Sequence, residues 1–182
     1  MYRIGLGYDI HTLTTGRDLI IGGVKITHEK GLMGHSDADV LIHAIIDAML
    51  GALALADIGT LFPDTDKKYK DADSTLLLHS VYEKIQDNGY EIVNIDSNII
   101  AQEPKMMPYI PKMRETLDNV LRIGQHNISI KAKTNEKMDA VGQKLAIEAH
   151  AVVLLRKVEN LWAESYNNIC LRIILVDLWK KL

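Results

Sequence analysis

The stretch YRIGLGYDIHTL, residues 2–13, predicts the first β-strand of the fold. Large side chains alternate along it with small or polar ones, which is the two-residue period of a strand. The large ones are Ile4, Leu6, Tyr8 and Ile10, and the small or polar ones are Gly5, Gly7, Asp9 and His11. Because the two glycines leave space beside Asp9 and His11, we expect this second face to be open and polar and to hold a ligand.

A helix is predicted after this strand, over Ser36–Ala54. Ser36 and Asp39 have the spacing of a helix N-terminal cap, and apolar residues then recur at helical intervals. These residues are Val40, Leu41, Ala44, Ile45, Ala48 and Met49. The pattern predicts a helix with one apolar stripe.

The rest of the chain continues this mixture of strands and helices. The predicted strands cover Arg17–Thr27, bent at Gly22-Gly23, then Tyr90–Gln102, Asn127–Lys133 and Ile147–Leu155. The predicted helices cover Ser74–Asp87 and a segment from Pro108 or Pro111 to about Leu121. Without a repeat or a flexible linker, this order predicts a single domain of the α/β (α+β) class.

Composition excludes several classes of protein. The 182 residues are 47% apolar and 25% charged, the balance of a globular domain with a sizeable core. Lys and Arg number 21 against 24 Asp and Glu, so a general nucleic-acid binder is not expected. The longest apolar stretch, Ala48–Ala56, is too short to cross a membrane. Cys170 is the single cysteine and no transit peptide is seen, which predicts a cytoplasmic location of bacterial type.

The spacing of acidic and histidine residues suggests a metal site. Asp9 and His11 point the same way from a strand, and His43 lies between Asp39 and Asp47 at helical intervals. Asp9, His11 and His43 would give zinc three protein ligands and one open position, with Asp47 orienting His43. A chance Asp-x-His sequence and a hydrogen-bonded core histidine stay open as alternatives.

Two further segments are candidates for holding hydroxyl or phosphate groups near that metal. His35–Asp37 opens the predicted helix, and Asp57–Gly59 with Phe62–Asp64 follows it. The alternatives are structural: Ser36 as a helix cap, Asp57 as a helix stop and Phe62–Asp64 as a turn.

The ends of two later strands carry a second group of polar residues. Ala101–Pro108 has the sequence AQEPKMMP, and Lys131–Lys137 has the sequence KAKTNEK. The second segment offers two cations, a hydroxyl and a carboxylate, which suits a phosphate with a hard divalent cation. A rigid turn with a solvated Lys105 and a charged surface turn are the alternative interpretations.

Taken together, these segments resemble the 2-C-methyl-D-erythritol 2,4-cyclodiphosphate synthase family. The resemblance rests on Arg3–Gly5, Gly7–His11, Ile21–Val24, His35–Val40, His43-Ala44, Asp57–Gly59, Leu61–Asp66, Ile99–Gln102, Pro104–Met106 and Glu136-Lys137. It implies a mixed β-sheet covered by helices and a homotrimer whose active sites lie between neighbouring chains.

The resemblance also implies roles for individual residues. Asp9, His11 and His43 would bind Zn²⁺, and Glu136 would bind Mg²⁺ or Mn²⁺ together with the substrate diphosphate. The cytosine pocket would be formed by Ala101, Lys105, Met106, Met107 and Ala132, with Lys133 and Thr134 at the phosphates. The erythritol-phosphate side would be formed by His35, Ser36, Asp57, Ile58, Gly59, Phe62 and Asp64. Of all these residues, His35, Asp57, Lys133 and Thr134 are the expected catalytic ones.

The implied activity is a cyclisation in the non-mevalonate pathway of isoprenoid precursors. The substrate is a small cytidine diphosphate, 4-diphosphocytidyl-2-C-methyl-D-erythritol 2-phosphate, whose 2-phosphate displaces CMP to give the cyclic diphosphate. The enzyme would be a metal-dependent phosphorus–oxygen lyase. Two alternatives remain from the residues alone: a zinc-dependent phosphohydrolase acting on a nucleotide diphosphate, and a nucleotide-binding protein without catalysis.

The chain departs from the family pattern in three places. Lys133-Thr134-Asn135 replaces a segment with more threonines, and Asp139–Lys144 replaces a turn rich in glycine and arginine. The second change removes the aromatic residue and the arginine that the family tends to place on the trimer axis, so isoprenoid diphosphate binding there is not carried over and stays open. The family pattern covers 1–157, and 158–182 forms an extension. Its role stays open between an added amphipathic helix or strand and residues from an altered reading frame.

Overall fold

Seven strands and five helices make up the computed structural model, which describes residues 1–158. The strands are β1 Tyr2–Thr15, β2 Leu19–Ile21, β3 Val24–Ile26, β4 Lys30–Leu32, β5 Tyr90–Ile100, β6 Ile128–Lys133 and β7 Ala146–Lys157. The helices are α1 Val40–Ala52, α2 Ile58–Leu61, α3 Ser74–Asp87, α4 Ile110–Leu121 and α5 Asp139–Gly142. Single 3-10 turns occur at Lys67–Tyr69, Met107–Tyr109 and Gln125–Asn127.

Five of the strands form one mixed sheet in the order β4-β1-β7-β5-β6. β7 is antiparallel to both β1 and β5, and β6 is parallel to β5. The carboxyl ends of β1, β5 and β6 therefore meet at the same edge of the sheet. β2 and β3 form a separate hairpin turned by Gly22 and Gly23. The α+β class and the mixed sheet are confirmed.

The glycine face of β1 is covered by a helix, which corrects the expectation of an open ligand face. A Cβ atom on Gly5 would lie 1.8 Å from the Ala48 carbonyl oxygen, and one on Gly7 would lie 1.9 Å from the Ala44 carbonyl oxygen. The two glycines therefore let the backbones of α1 and β1 approach closely. Only the end of this face, at Asp9 and His11, remains open.

The large apolar side chains of β1 lie on the opposite, uncovered face of the sheet. Ile4 and Leu6 are 70% and 69% exposed, and Tyr8 and Ile10 are 46% and 42% exposed. Within residues 1–158, helices pack on the other face only: α1 contacts β1 and β7, α4 contacts β6, and α3 packs between α1 and α4. In the described part of the chain, the exposed face is a contiguous apolar surface of the kind that marks an interface.

Helix α1 begins four residues later than predicted. Asp39 is its N-cap and accepts a hydrogen bond from the Ile42 N–H at 3.0 Å, so Ser36 is not the cap. The Asp39 carboxylate also accepts from the N–H groups of Gly22 and Gly23, and so joins the β2–β3 turn to the helix. The helix is buried on nearly every side rather than along one stripe, because β1, β7 and α3 enclose it.

The other predicted elements are found with small changes of boundary. The prediction for α3 is confirmed at both ends, and β5, α4, β6 and β7 agree within a few residues. The short elements β4, α2 and α5 were not predicted, since none exceeds four residues. Asp57 is the N-cap of α2 rather than a helix stop. The predicted extension 158–182 lies outside the described residues except for Val158.

The core lies between the sheet and the helix layer. Half of its largest fully buried side chains come from α1, and these include Leu41, Ile42, Ile45, Ile46 and Met49. No helix within residues 1–158 is both long and apolar enough to cross a membrane.

Candidate active site

Asp9, His11 and His43 converge at the open end of the β1–α1 contact. The His11 Nε2 and His43 Nδ1 atoms lie 2.9 and 3.0 Å from the same oxygen, Oδ2 of Asp9. The two imidazole nitrogens lie 3.1 Å apart. The predicted Asp/His/His set is therefore brought together, and the three residues form a group that can hold a metal ion.

The contact on the far side of His11 supports a metal-binding role. Its Nδ1 atom lies 2.8 Å from the Met33 carbonyl oxygen, which only accepts hydrogen bonds. Nδ1 therefore carries the hydrogen, and the lone pair of Nε2 faces Asp9. One carboxylate oxygen and two imidazole nitrogens are a donor set typical of zinc and related transition metals.

The charges at the site also favour a bound cation. Burial raises the pKa of the Asp9 carboxyl, but the neighbouring His11 and His43 imidazoles, at 2.9 and 3.0 Å, outweigh burial and hold the pKa well below its usual range. The carboxyl group is consequently ionised at neutral pH, which is the form that binds a metal. Burial lowers the pKa of His11, but its contacts with Asp9 raise it by more, so the net change is upward. A metal ion that binds His11 therefore displaces a proton from it.

His43 is held from its other side by two hydroxyl groups instead of the predicted Asp47. The Nε2 atom of His43 lies 3.0 Å from Ser74 Oγ and 3.2 Å from Ser36 Oγ. Asp47 instead accepts a hydrogen bond from the Ile58 N–H at 2.8 Å, and so fixes the start of α2. The helical interval between Asp47 and His43 was correct, but the two side chains have different partners.

A cavity of about 420 Å³ opens beside the three potential metal ligands. Six further predicted site residues line it: His35, Ser36, Ile58, Gly59, Phe62 and Asp64. Gly34, Tyr69 and Leu77 also line it and were not predicted. The cavity therefore joins the potential metal position to the segments that sequence reasoning assigned to hydroxyl or phosphate binding.

Backbone contacts fix the loops around this cavity. His35 Nε2 donates to the Asp66 carbonyl oxygen at 3.1 Å, so Nδ1 is the ring nitrogen left for another partner. Asp57 is fully exposed, and its Oδ1 accepts from the Thr60 N–H at 2.8 Å. The hydrogen bonds from Thr60 lower the pKa of Asp57. Asp57 does not line the cavity itself but caps α2, which does.

The residues expected at the nucleotide form a second cluster at the carboxyl ends of β5 and β6. The Ala101 N–H donates to the Lys133 carbonyl oxygen at 2.9 Å, so the two segments are joined where the parallel pair ends. Ala101 and Met106 are buried, whereas Met107 is 78% exposed. Lys105 and Ala132 belong to the same two segments.

Glu136 lies in the turn that follows β6. Its Oε1 atom accepts a hydrogen bond from Thr134 Oγ1 at 2.8 Å, and the Lys137 N–H donates to Gln102 Oε1 at 3.2 Å. Glu136, Thr134 and Lys133 are all exposed. The predicted phosphate and cation residues are therefore close together and accessible.

The two clusters are separate within one chain. Asp9, Ala149, Ile99 and Ala132 lie in one row across β1, β7, β5 and β6. Three strand spacings of roughly 4.8 Å place Asp9 and Ala132 about 14 Å apart. In the described part of the chain, the cavity at Asp9 is lined by no residue of the second cluster.

Sequence reasoning missed the roles of Ser74 and Asp37, which lie on the side of His43 that faces away from Asp9. The Ser74 hydroxyl donates to Asp37 Oδ1, and the Ser74 N–H donates to Asp37 Oδ2 at 3.0 Å. Ser74 was recognised only as the start of a helix, and Asp37 only as part of a possible ligand loop. No sequence signal linked them, because 37 positions separate the two residues.

Comparisons with known proteins give the family. The sequence model of the YgbB family matches residues 2–156. A 2-C-methyl-D-erythritol 2,4-cyclodiphosphate synthase of Geobacillus sp. is 55% identical over 157 residues, which are 86% of this chain and 99% of that protein. The protein of the same name from Clostridioides difficile is 60% identical over 153 residues, 84% of this chain and 95% of its own length.

A solved structure agrees with the sequence comparison. The CDP complex of IspF from Plasmodium falciparum is 39% identical, with a TM-score of 0.77. The match covers 87% of this chain and 97% of that one. The chain thus belongs to the YgbB family, whose similar curated members are 2-C-methyl-D-erythritol 2,4-cyclodiphosphate synthases.

Proposed function

We propose that this chain converts 4-diphosphocytidyl-2-C-methyl-D-erythritol 2-phosphate to 2-C-methyl-D-erythritol 2,4-cyclodiphosphate and CMP, in the non-mevalonate isoprenoid pathway. The names of its relatives give the product. The observation that carries the proposal is the cavity that joins Asp9, His11 and His43 to the 57–64 segment. Like those relatives, the chain is then a phosphorus–oxygen lyase.

The reaction needs no nucleophile from the protein. An oxygen of the substrate's 2-phosphate attacks the β-phosphorus, the bond from that phosphorus to the oxygen bridging the two phosphates breaks, and CMP leaves with that oxygen. The protein has to hold the two groups in line and offset their negative charge. This requirement explains a site rich in ligands and hydrogen-bond donors.

Residues on the cavity side are proposed to hold the methylerythritol phosphate. Asp9, His11 and His43 hold Zn²⁺, which when bound supplies positive charge to an attacking phosphate. Ser36, together with Ile58 and Gly59 of α2, lines the space beside it. Phe62 contacts Tyr69 edge to face and shields this space from water. His35 and Asp57 position the loops that orient the substrate.

Residues of the second cluster are proposed to bind the cytidine diphosphate. Lys133 and Thr134 contact the phosphates, and Glu136 holds Mg²⁺ or Mn²⁺ with the diphosphate. The buried Ala101 and Met106 form the floor of the cytosine pocket. The same pocket includes Lys105, Met107 and Ala132. The CDP bound to the relative from Plasmodium falciparum supports a nucleotide ligand of this kind.

We propose a homotrimer in which each active site combines the Zn²⁺ side of one chain with the nucleotide side of its neighbour. One chain alone keeps the two sides about 14 Å apart. The exposed row of Ile4, Leu6, Tyr8 and Ile10 offers the apolar surface for assembly around a threefold axis. We also propose a cytoplasmic location, because a single cysteine forms no internal disulfide.

Phosphorus NMR of the purified protein with its proposed substrate tests the activity. We expect signals of a cyclic diphosphate and of CMP, and loss of both when His43→Ala replaces the wild type. The reaction in ¹⁸O-labelled water adds a second criterion, because cyclisation incorporates no solvent oxygen. A linear product carrying ¹⁸O would identify a phosphohydrolase instead and contradict the proposal.

A further inference from the structure

The side of His43 that faces away from Asp9 is the feature from which we infer a further role. We infer that Ser74 and Asp37 are positioning residues that set the tautomer and the ring orientation of His43 for metal binding. This inference rests on the proposed metal role of His43. Neither residue is among the proposed metal ligands or substrate contacts, although Asp37 belongs to the His35–Asp37 segment.

The three side chains form a hydrogen-bonded series in which His43 and Ser74 are buried and Asp37 is partly exposed. Ser74 is fully buried and His43 is 8% exposed. His43 Nε2 lies 3.0 Å from Ser74 Oγ, whose hydroxyl in turn donates to Asp37 Oδ1. Asp37 Oδ2 accepts from the backbone N–H of Ser74 at 3.0 Å, so two hydrogen bonds fix its carboxylate against the start of α3.

The direction of these hydrogen bonds determines which nitrogen of His43 carries hydrogen. A serine hydroxyl has one hydrogen, and the Asp37 carboxylate takes it because a carboxylate only accepts. Ser74 Oγ must then accept at its contact with His43, so Nε2 is the protonated nitrogen. The lone pair that remains is on Nδ1, the atom that lies 3.0 Å from Asp9.

Ser36 carries the other hydroxyl near His43, but its contacts do not determine which nitrogen of His43 carries hydrogen. Its Oγ atom lies 3.2 Å from Nε2 and accepts from the Ala38 N–H at 3.2 Å. Among the described residues, its hydroxyl has no carboxylate partner to fix the hydrogen. Ser74 is both the nearer contact of Nε2 and the one that Asp37 orients.

His11 and His43 are therefore both oriented for metal binding by a hydrogen bond at the ring nitrogen that faces away from Asp9. The accepting group differs between the two. For His11 the Met33 carbonyl accepts from Nδ1, and for His43 the oriented Ser74 hydroxyl accepts from Nε2. Each contact directs the free lone pair toward Asp9. Partners of this kind typically change metal affinity about 10- to 100-fold when they are removed.

Zinc affinity of the full chain, measured by competition with a chelating dye, tests the role of Ser74. We expect Ser74→Ala to weaken Zn²⁺ binding about 10- to 100-fold. The matched control is Ser97→Ala, which removes a buried serine hydroxyl that donates to the Ser129 carbonyl oxygen in the sheet. The control should leave zinc affinity unchanged, and urea unfolding of both metal-free variants reports any general loss of stability.

Asp37→Asn separates tautomer selection from simple packing, since the amide has the same size as the carboxylate. The Asp37 carboxylate also accepts from the Asp39 N–H at 3.2 Å, through Oδ1. We expect the amide to give up this longer contact and to keep the 3.0 Å hydrogen bond from the Ser74 N–H, which leaves its NH₂ group facing Ser74 Oγ. The hydroxyl hydrogen then turns toward His43 and favours the wrong tautomer, with hydrogen on Nδ1. We expect a loss of zinc affinity at least as large as that of Ser74→Ala, and an altered absorption spectrum of the Co²⁺-substituted protein.

The outcomes of these measurements are distinct. If wild-type protein binds no zinc, the proposed metal role of His43 fails and the positioning role fails with it. If wild-type protein binds zinc and Ser74→Ala binds it equally well, only the positioning role is overturned. Equal affinities of Asp37→Asn and wild type would likewise overturn tautomer selection. Weakening in both variants, with Ser97→Ala unchanged, supports it.

Discussion

The proposed metal ligands of the two clusters differ in how firmly their side chains are held before substrate binds. His11 and His43 each have contacts at both ring nitrogens, and His43 is 8% exposed. Glu136 is exposed, and its described side-chain contact is the one from Thr134. We therefore expect the zinc side to be rigid before substrate arrives, whereas the Glu136 side takes its final form with the diphosphate and the second metal.

Replacing Glu136 with glutamine should raise the requirement for Mg²⁺ or Mn²⁺ without removing zinc. The amide oxygen can keep the hydrogen bond from Thr134, but a neutral amide binds a hard cation less well than a carboxylate. A loss of about 1.4 kcal/mol in metal binding would shift the half-saturating Mg²⁺ concentration about tenfold. Titration of turnover with Mg²⁺ measures the shift.

Glu83→Gln is the matched control, because Glu83 is an exposed carboxylate on α3 beside His79. It should leave the Mg²⁺ titration unchanged. Superimposable titrations of wild type and Glu136→Gln would remove Glu136 from the metal site.

At the scale of elements, α1 combines a structural and a functional role. Its backbone lies against β1 at the two glycines, and the same contact brings His43 to Asp9 and His11. The spacing between strand and helix thus sets the spacing of the potential metal ligands. A change that separates β1 from α1 should affect stability and zinc binding together.

Gly7→Ala tests this close approach. The new Cβ would lie 1.9 Å from the Ala44 carbonyl oxygen, which belongs to the helix backbone and cannot rotate away. We expect a loss of about 3 kcal/mol in the free energy of unfolding, at the upper end of overpacking effects. Urea unfolding at a fixed chain concentration measures it, together with zinc content.

Gly51→Ala is the control within α1 itself. The nearest atom to its Cβ would be the Leu6 carbonyl oxygen at 3.8 Å, so nothing is displaced. Alanine is favoured over glycine in a helix by up to about 1 kcal/mol, so this variant should equal or exceed wild type in stability. A Gly7→Ala protein as stable as wild type would show that β1 and α1 do not approach as closely as described.

The elements also show what the sequence could and could not predict. Alternation identified β1 and the residues on each of its faces, but assigned the open face wrongly. Periodicity tells which side chains share a face, and not which face a helix covers. Asp9, His11 and His43 followed from strand and helix spacing. Ser74 and Asp37 did not, because their contact depends on how the start of α3 meets the loop before α1.

At the scale of the whole molecule, the extension can be tested by removing residues 159–182. The Geobacillus relative aligns over 157 residues, which are 99% of its own length, so that synthase has almost nothing that corresponds to the extension. Val158 is kept because its N–H donates to the Gly89 carbonyl oxygen. We expect turnover and zinc content like those of the full chain. A truncated protein that is trimeric but inactive would show that the extension contributes to the site.

The shared active site makes the most specific prediction. At an Mg²⁺ concentration well below the half-saturating value of Glu136→Gln, two variants with different defects should regain activity when mixed. His43→Ala damages the zinc side, and Glu136→Gln damages the nucleotide side. A trimer that contains both kinds of chain can pair an intact zinc side with an intact nucleotide side across an interface. Co-refolding equal amounts with random exchange should make about one site in four intact, since each interface needs the right chain on both sides.

A second mixture separates a shared site from a site within one chain. The doubly substituted chain, His43→Ala with Glu136→Gln, is co-refolded with an equal amount of wild type. If sites are shared, about one site in four is intact in both mixtures. In the second mixture, this is because each intact site needs two wild-type neighbours. Sites built within one chain give none in the first mixture and about half in the second. Mass spectrometry of the mixed trimers confirms exchange. No turnover in the first mixture and about half of the wild-type turnover in the second would contradict the division of Asp9, His11 and His43 from Glu136 across an interface.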